Sequence, residues 1–480
     1  MRKQLLGTIA ALLAGAGGAL AQSASARPVD GPARSASPMV DTMVKPANQF
    51  NPPIPAPLPG GPEGYGMMPE GPMPGGDPNA GPIGWPPPGQ YGAPPYDDPE
   101  FGGSLFNGSG PATRFFVDGQ YLLLFPKSQP TNYPLLSSSA PADLGRVGNP
   151  TTTILAGDKG RLNIGTAHGF RLGAGWWRPE DSRAGVEVGA FYMSPVSSNT
   201  YFQGSESGVP LLARPFLNDA SGTPVSLILS SPDIVSGSSL TRAMTQAWGI
   251  EANALWNAYR TCPGECRTWN LNFLAGYRYF DLTESLQLSS RSTILEGNTL
   301  SYAGTLVGEA TSLEIRERFD AKNKWHGGQI GFQSQFTSGR WYVGVTGKVG
   351  FGITNQKVTI DGTTGASNPE DGTTSTAIGG LFANAGNIGS YKSDHFGILT
   401  DVNATFGYHF TSWLVGTVGY NFVHLSSVAR PGNLFTGRVD SNLVPLSSSY
   451  GTGATTPAPF NYKQDDFFLH GLNFGFIVKY

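Results

Sequence analysis

Apolar residues recur at every second position from Phe115 onward. In Phe115–Phe125 the odd positions carry Phe, Val, Gly, Tyr, Leu and Phe, and the even positions include Asp118 and Gln120. Alternation over that length predicts a strand with one apolar and one partly polar face. The pattern returns nine more times. Phe170 to Trp176 alternates around Arg171, Val186 to Tyr192 around Glu187, and Met244 to Trp256 around Glu251, Asn253 and Asn257. Trp269 to Tyr279 alternates around Asn270, Asn272 and Arg278, Ile330 to Phe336 around Gln333 and Gln335, and Trp341 to Ile353 around Lys348. Phe396 to Phe410 encloses Asp401, Leu414 to Phe422 encloses Asn421, and Phe468 to Tyr480 encloses Asn473 and Lys479. About ten strands are predicted, with twelve as the alternative number.

Connection lengths then select an architecture. Short turns are expected near residues 178–183, 260–267, 337–340 and 411–412, alternating with long polar loops near 126–160, 194–240, 290–312, 361–394 and 426–465. A transmembrane barrel has this asymmetry, with short turns on one side and long loops on the other. A soluble sandwich has no reason to segregate its loop lengths. Tyr and Trp gather near the strand ends, at Tyr121, Trp176, Trp177, Trp256, Tyr259, Trp269, Tyr279, Trp341, Trp413 and Tyr420, where interfacial girdles lie. The expected fold is all-β: a transmembrane antiparallel up-and-down barrel with long outer loops.

Composition agrees. Charged residues make up 14% of the chain against a usual ~25%. The 66 Gly and 39 Pro exclude a coiled coil or an ordinary helical enzyme, because both residues break helices. A net charge of −3 speaks against a nucleic-acid partner, which would need a basic footprint. The one long apolar run is Leu5–Leu20, preceded by Arg2 and Lys3 and closed by Ala19-Leu20-Ala21. It reads as a signal peptide over residues 1–21 and places the mature chain outside the cytoplasm. Residues 22–110 contain 21 of the prolines, a composition that buries too little apolar surface to fold and predicts a disordered tether or spacer. The barrel is assigned to residues 111–480. Cys262 and Cys266 bracket Pro263-Gly264-Glu265 in a turn. With no further soft ligands at zinc spacing, a local disulfide is expected in an oxidising compartment.

Candidate chemistry is sparse. Gly344–Gly352 is Gly-rich but lacks the spacing of a phosphate loop. The six histidines include no H-x-H or H-E-x-x-H pair. Asp394-His395 resembles the Asp/His sites of ten-stranded outer-membrane proteases but has no second acid beside it in the sequence, and no G-x-S-x-G anchor is present. No catalytic residue, cofactor or metal site is expected. The inward charges are more informative: Asp118, Glu187, Glu251 and Asp401 against Arg171, Arg278, Lys348 and Lys479. Two accounts stay open. The charges form a neutralising network across a filled lumen, since an unpaired buried ion costs several kcal/mol, or they face water in a channel.

Specific segments add a resemblance. Asp320–Phe332, Gly379–Tyr391, Phe406–Thr411, Gly419–Gly432 and Asp466–Phe476 look, in that order, like segments of the planctomycete outer-membrane family called beta-barrel porin-7. A departure is Thr400-Asp401, where the family pattern has Pro-Glu; the inward acid is retained. The resemblance implies an outer-membrane barrel and carries over no catalytic residues. The final strand, with Phe476, Val478 and the terminal Tyr480, is similar to the signal read by barrel assembly machinery. The expected partners are outer-membrane lipid, that machinery, and cell-wall or envelope material along the N-terminal segment. The expected roles are a solute pore or structural barrel, a non-conducting barrel with adhesive or envelope-contacting loops, or, as a third reading, an outer-membrane hydrolase.

Overall fold

The computed structural model describes residues 115–178, 183–261, 267–302, 304–452 and 463–480. The expected signal peptide, the Pro/Gly-rich segment and the Cys262–Cys266 turn lie outside the described residues. Ten long strands form the frame: β1 (Phe115–Pro126), β2 (Ala167–Trp177), β3 (Ala184–Gln203), β4 (Val235–Arg260), β5 (Arg267–Ile294), β6 (Ser312–Ser338), β7 (Trp341–Asn368), β8 (Gly389–His409), β9 (Leu414–Ala429) and β10 (Gln464–Lys479). Each pairs antiparallel with the next, and β10 pairs back onto β1, so the sheet closes into a ring of ten. Closure leaves no barrel edge unpaired in lipid, where a bare strand edge would be prohibitive. At the seam, the Tyr480 N–H donates to the Phe115 carbonyl at 2.8 Å and the Phe115 N–H donates to Tyr480 at 3.3 Å.

The strands run well past a bilayer. A spanning strand needs ~9–11 residues, yet β5 has 28 and β7 has 28. On β5 the outward apolar face runs from Trp269 to Tyr279. At ~3.3 Å per residue and ~40° tilt that span rises roughly 25 Å, the height of a hydrocarbon belt. Beyond it the polarity of the same strand inverts. On β6 the outward residues Ile330, Phe332 and Phe336 are exposed while Gln329, Gln333 and Gln335 are buried inside. Further along, Lys324, Lys322, Arg318 and Arg316 point outward, and Phe319, Ile315 and Leu313 are buried inside. The outside medium changes from lipid to water, so the period-two pattern keeps its register and exchanges its faces.

Much of the sequence expected to form outer loops therefore belongs to barrel strands, including Ser194–Gln203, Ser290–Ile294 and Asp361–Asn368. Their outward residues are mostly polar, among them Ser197, Asn199, Gln203, Arg291, Thr293, Asp361 and Thr363, and give no sustained apolar alternation. The rest turns inward. Leu136–Ser138, Thr153–Ala156, Leu212–Asn218, Pro224–Ser230 and Arg438–Val439 form a small sheet of their own. It packs with Leu381, Phe382, Leu434 and Phe435 against Leu286, Leu288, Leu313, Ile315, Phe319, Val358 and Ile360 of the barrel wall.

Two buried ion pairs fix this plug. Arg214 donates to Glu317 at 2.7 Å, both side chains fully buried. The Glu317 carboxylate also accepts the N–H groups of Phe382 and Ala383, at 2.5 and 2.8 Å. Burial pushes the Glu317 carboxyl up and the Arg214 guanidinium down, against the pull of their mutual attraction. Arg430 meets Glu284 through two nitrogens at 2.8 and 2.7 Å, and donates to the carbonyls of Ser128 and Lys127. Asn323 clasps the Ala429 backbone through both its amide nitrogen and its oxygen, at 2.9 and 2.8 Å.

Candidate functional site: the charged lumen

The lumen at bilayer height is built in layers, because every inward-facing residue is one of an alternating series. Nearest the short turns lies an apolar layer of Phe116, Trp177, Leu255, Leu274, Tyr342, Val415 and Ile477. Trp177 therefore packs inside, not in the outer girdle; Trp176, one residue back, faces out and is exposed. At the other limit lies a second apolar layer, including Leu122, Phe191, Phe280, Trp325, Leu399, Val423 and Leu469. Trp325 lies in it against Gly350 of β7 and Gly397 of β8, its indole N–H satisfied by the Gly397 carbonyl at 3.0 Å. All the inward charges but Lys479 sit between the two.

Seven of the eight inward charges line one cavity of about 140 Å³: Asp118, Arg171, Glu187, Glu251, Arg278, Lys348 and Asp401. Such a space holds roughly ten waters at ~10–15 Å³ each. Arg278 on β5 is the hub. Its Nη1 lies 2.7 Å from the Asp401 carboxylate on β8 and 3.6 Å from Glu251 on β4. Lys348 on β7 donates to the other Glu251 oxygen at 2.5 Å. Arg171 on β2 reaches Asp401 at 4.0 Å and donates to Asn421 at 2.9 Å. Glu187 is held by amides instead, accepting from Gln333 at 2.9 Å and Asn253 at 3.2 Å. Asp118 accepts from Gln120 at 3.3 Å. Lys479 is buried farther along β10, near the short-turn end. The geometry can bind neutralising partners across the bore; it presents no nucleophile beside a base.

Phe476 and Tyr480 are exposed on the outer face of the closing strand, and Val478 lies between them on the same face. The Asp394-His395 pair is divided by the pleat: Asp394 faces outward and accepts from Asn355 at 2.8 Å, while His395 turns the other way and meets Ser393 at 2.9 Å. Among the described residues no group of three or more His, Cys, Asp or Glu side chains is placed to hold a metal ion. The buried charges Arg214, Glu284, Glu317 and Arg430 are not legible in the sequence: Arg214 and Arg430 lie in segments that read as polar loop, and Glu284 and Glu317 lie outside the stretches of outward apolar alternation.

The family model for beta barrel porin-7 matches residues 116–480, the whole closed ring. No curated relative matches the chain. Among solved structures, the outer membrane protease OmpT from Escherichia coli is 11% identical, covers 77% of this chain and 98% of its own, and has a TM-score of 0.33. An outer-membrane expressed OmpT of Vibrio cholerae is 8% identical, covers 76% and 97%, and has a TM-score of 0.11. Likenesses at this level say nothing about activity.

Proposed function

This chain belongs to the beta barrel porin-7 family, an outer-membrane barrel, and from that premise we propose that it is a closed, non-catalytic envelope barrel which conducts no solute at rest. The observation that carries this reading is the pair of apolar layers above and below the charged cavity. A dry apolar constriction blocks ions even without complete steric closure, and here the bore beyond it is also filled by packed loops. The pairing of Arg278, Asp401, Glu251 and Lys348 supports a neutralising network over a row of hydrated channel charges. The water-facing outer wall then does the work, as an anchor or contact surface for envelope material. Export through residues 1–21, oxidation of Cys262 with Cys266, and reading of Phe476, Val478 and Tyr480 by assembly machinery belong to the same proposal.

Liposome swelling tests it. Vesicles carrying the full chain should swell in small sugars no faster than empty vesicles, and swelling that falls with solute size would establish a pore instead.

A further inference from the structure

The outer wall carries a row of lysines at a height where proteins usually meet lipid headgroups. Lys322 on β6 lies directly opposite Lys357 on β7, and Lys357 lies directly opposite Lys392 on β8. All three are exposed, and Lys324 is exposed one outward position nearer the belt. Like charges directly opposite on one sheet face repel and destabilise the pairing. Among the described residues the nearby carboxylates are not bridged to the row, although Asp281 lies directly opposite Lys324. Asp320 is bridged to Arg318 at 2.9 Å, Asp394 accepts from Asn355 at 2.8 Å, and Asp281 accepts from Tyr279 and Thr283 at 3.2 and 3.1 Å. Among the described residues none of the four lysine side chains takes part in an ion pair or hydrogen bond.

Below the row come Lys324, Asn355 and Asp394, and one outward position further His326, Ile353 and Phe396, with Ile353 and Phe396 exposed as belt residues. The upper boundary of the belt is marked around the barrel by three diagonal phenol–imidazole pairs: Tyr121 with His168 at 2.5 Å, Tyr277 with His326 at 3.1 Å and Tyr420 with His470 at 2.9 Å. Lys322 and Lys357 stand four residues beyond His326 and Ile353, which is roughly 10 Å above the apolar edge at ~3.3 Å per residue and ~40° tilt. Long lysine stems lie down along such a boundary and place their ammonium groups among the headgroups.

We propose that Lys322, Lys357 and Lys392, helped by Lys324, form a binding row for the phosphates of anionic lipids in the leaflet at the long-connection end. The row is a site on the outer wall, so it rests on the membrane position of the belt and not on whether the lumen conducts. Bound phosphate relieves the lysine–lysine repulsion, and each lysine near an anionic surface adds about 1 kcal/mol of attraction, or about fivefold.

The test uses the full chain in a neutral detergent, with phosphatidylglycerol or phosphatidylcholine added, and compares it with K322Q/K357Q/K392Q. Native mass spectrometry should show the wild type retaining phosphatidylglycerol over phosphatidylcholine, with that preference reduced about tenfold or more in the variant. In lipid-free detergent the variant should melt higher than the wild type, having lost its row of like charges, and phosphatidylglycerol should narrow or reverse that gap. Equal phosphatidylglycerol retention by both proteins would overturn the proposal. So would displacement of the lipid by millimolar inorganic phosphate, which would make the row a site for soluble anions. A wild type that fails to insert into phosphatidylcholine vesicles would instead overturn the membrane reading beneath it.

Discussion

Arg278 shows how one side chain ties the lumen together. It faces Asp401 across the bore and Glu251 on the adjacent strand, and its side chain is 5% exposed. Removing one member of a buried charged set leaves the others without compensation, typically at ~3–5 kcal/mol. Arg278→Ala should lower the chemical unfolding free energy by about that amount; a change under about 1 kcal/mol would place Arg278 in hydrated surroundings. The Arg214–Glu317 pair behaves differently because burial strains both members, raising Glu317 and lowering Arg214. Arg214→Met alone should destabilise by about 3–5 kcal/mol, whereas Arg214→Met with Glu317→Leu should recover most of that loss. An additive double variant would show that the two do not act as a pair. The lumen charges were legible in the sequence because each interrupts an apolar alternation, so its side follows from parity alone. Arg214 and Arg430 were not, since nothing in Ala213-Arg214-Pro215 or Arg430-Pro431-Gly432 distinguishes a buried ion from a solvated turn.

At the scale of elements, the ten strands were readable where lipid lies outside. Outward Phe, Ile, Val, Trp and Tyr alternate there with inward Asn, Gln and charge, and the period survives in the sequence. It fades where water lies outside, as along Ser285–Thr293 of β5, where Ser, Gln, Arg and Thr occupy the outward face. The inner sheet was invisible for a related reason. Its strands are two to seven residues long, too short to establish a period, and its apolar content comes as doublets such as Leu135-Leu136 and Phe382-Ala383. The closing element has a direct test. Deleting Val478–Tyr480 removes the N–H and C=O groups that pair with Phe115 and Phe116 and two outward side chains of the belt. The truncated chain should fail to reach heat-modifiable, membrane-inserted form, because an open strand edge in lipid is prohibitive. Wild-type amounts of heat-modifiable protein would show that the ring closes without its last residues.

For the whole molecule, one period-two pattern serves two solvents. In the bilayer, apolar side chains face out and the interior holds a small charged cavity. Above it, charge and hydroxyls face out and the interior becomes a packed core that the connecting segments complete. This inversion turns a ten-stranded ring into a stopped vessel, with its plug drawn from its own loops and anchored by Arg214 and Arg430. The measurement that bears most directly on this account is single-channel recording of the purified full chain in planar bilayers, beside a variant in which residues 212–230 are replaced by a short Gly/Ser linker. The account predicts no resolvable conductance for the wild type. It predicts at most rare, noisy openings for the variant, because the apolar layer around Trp325 still spans the bore. Steady, step-like, ion-selective currents from the wild-type chain would contradict it.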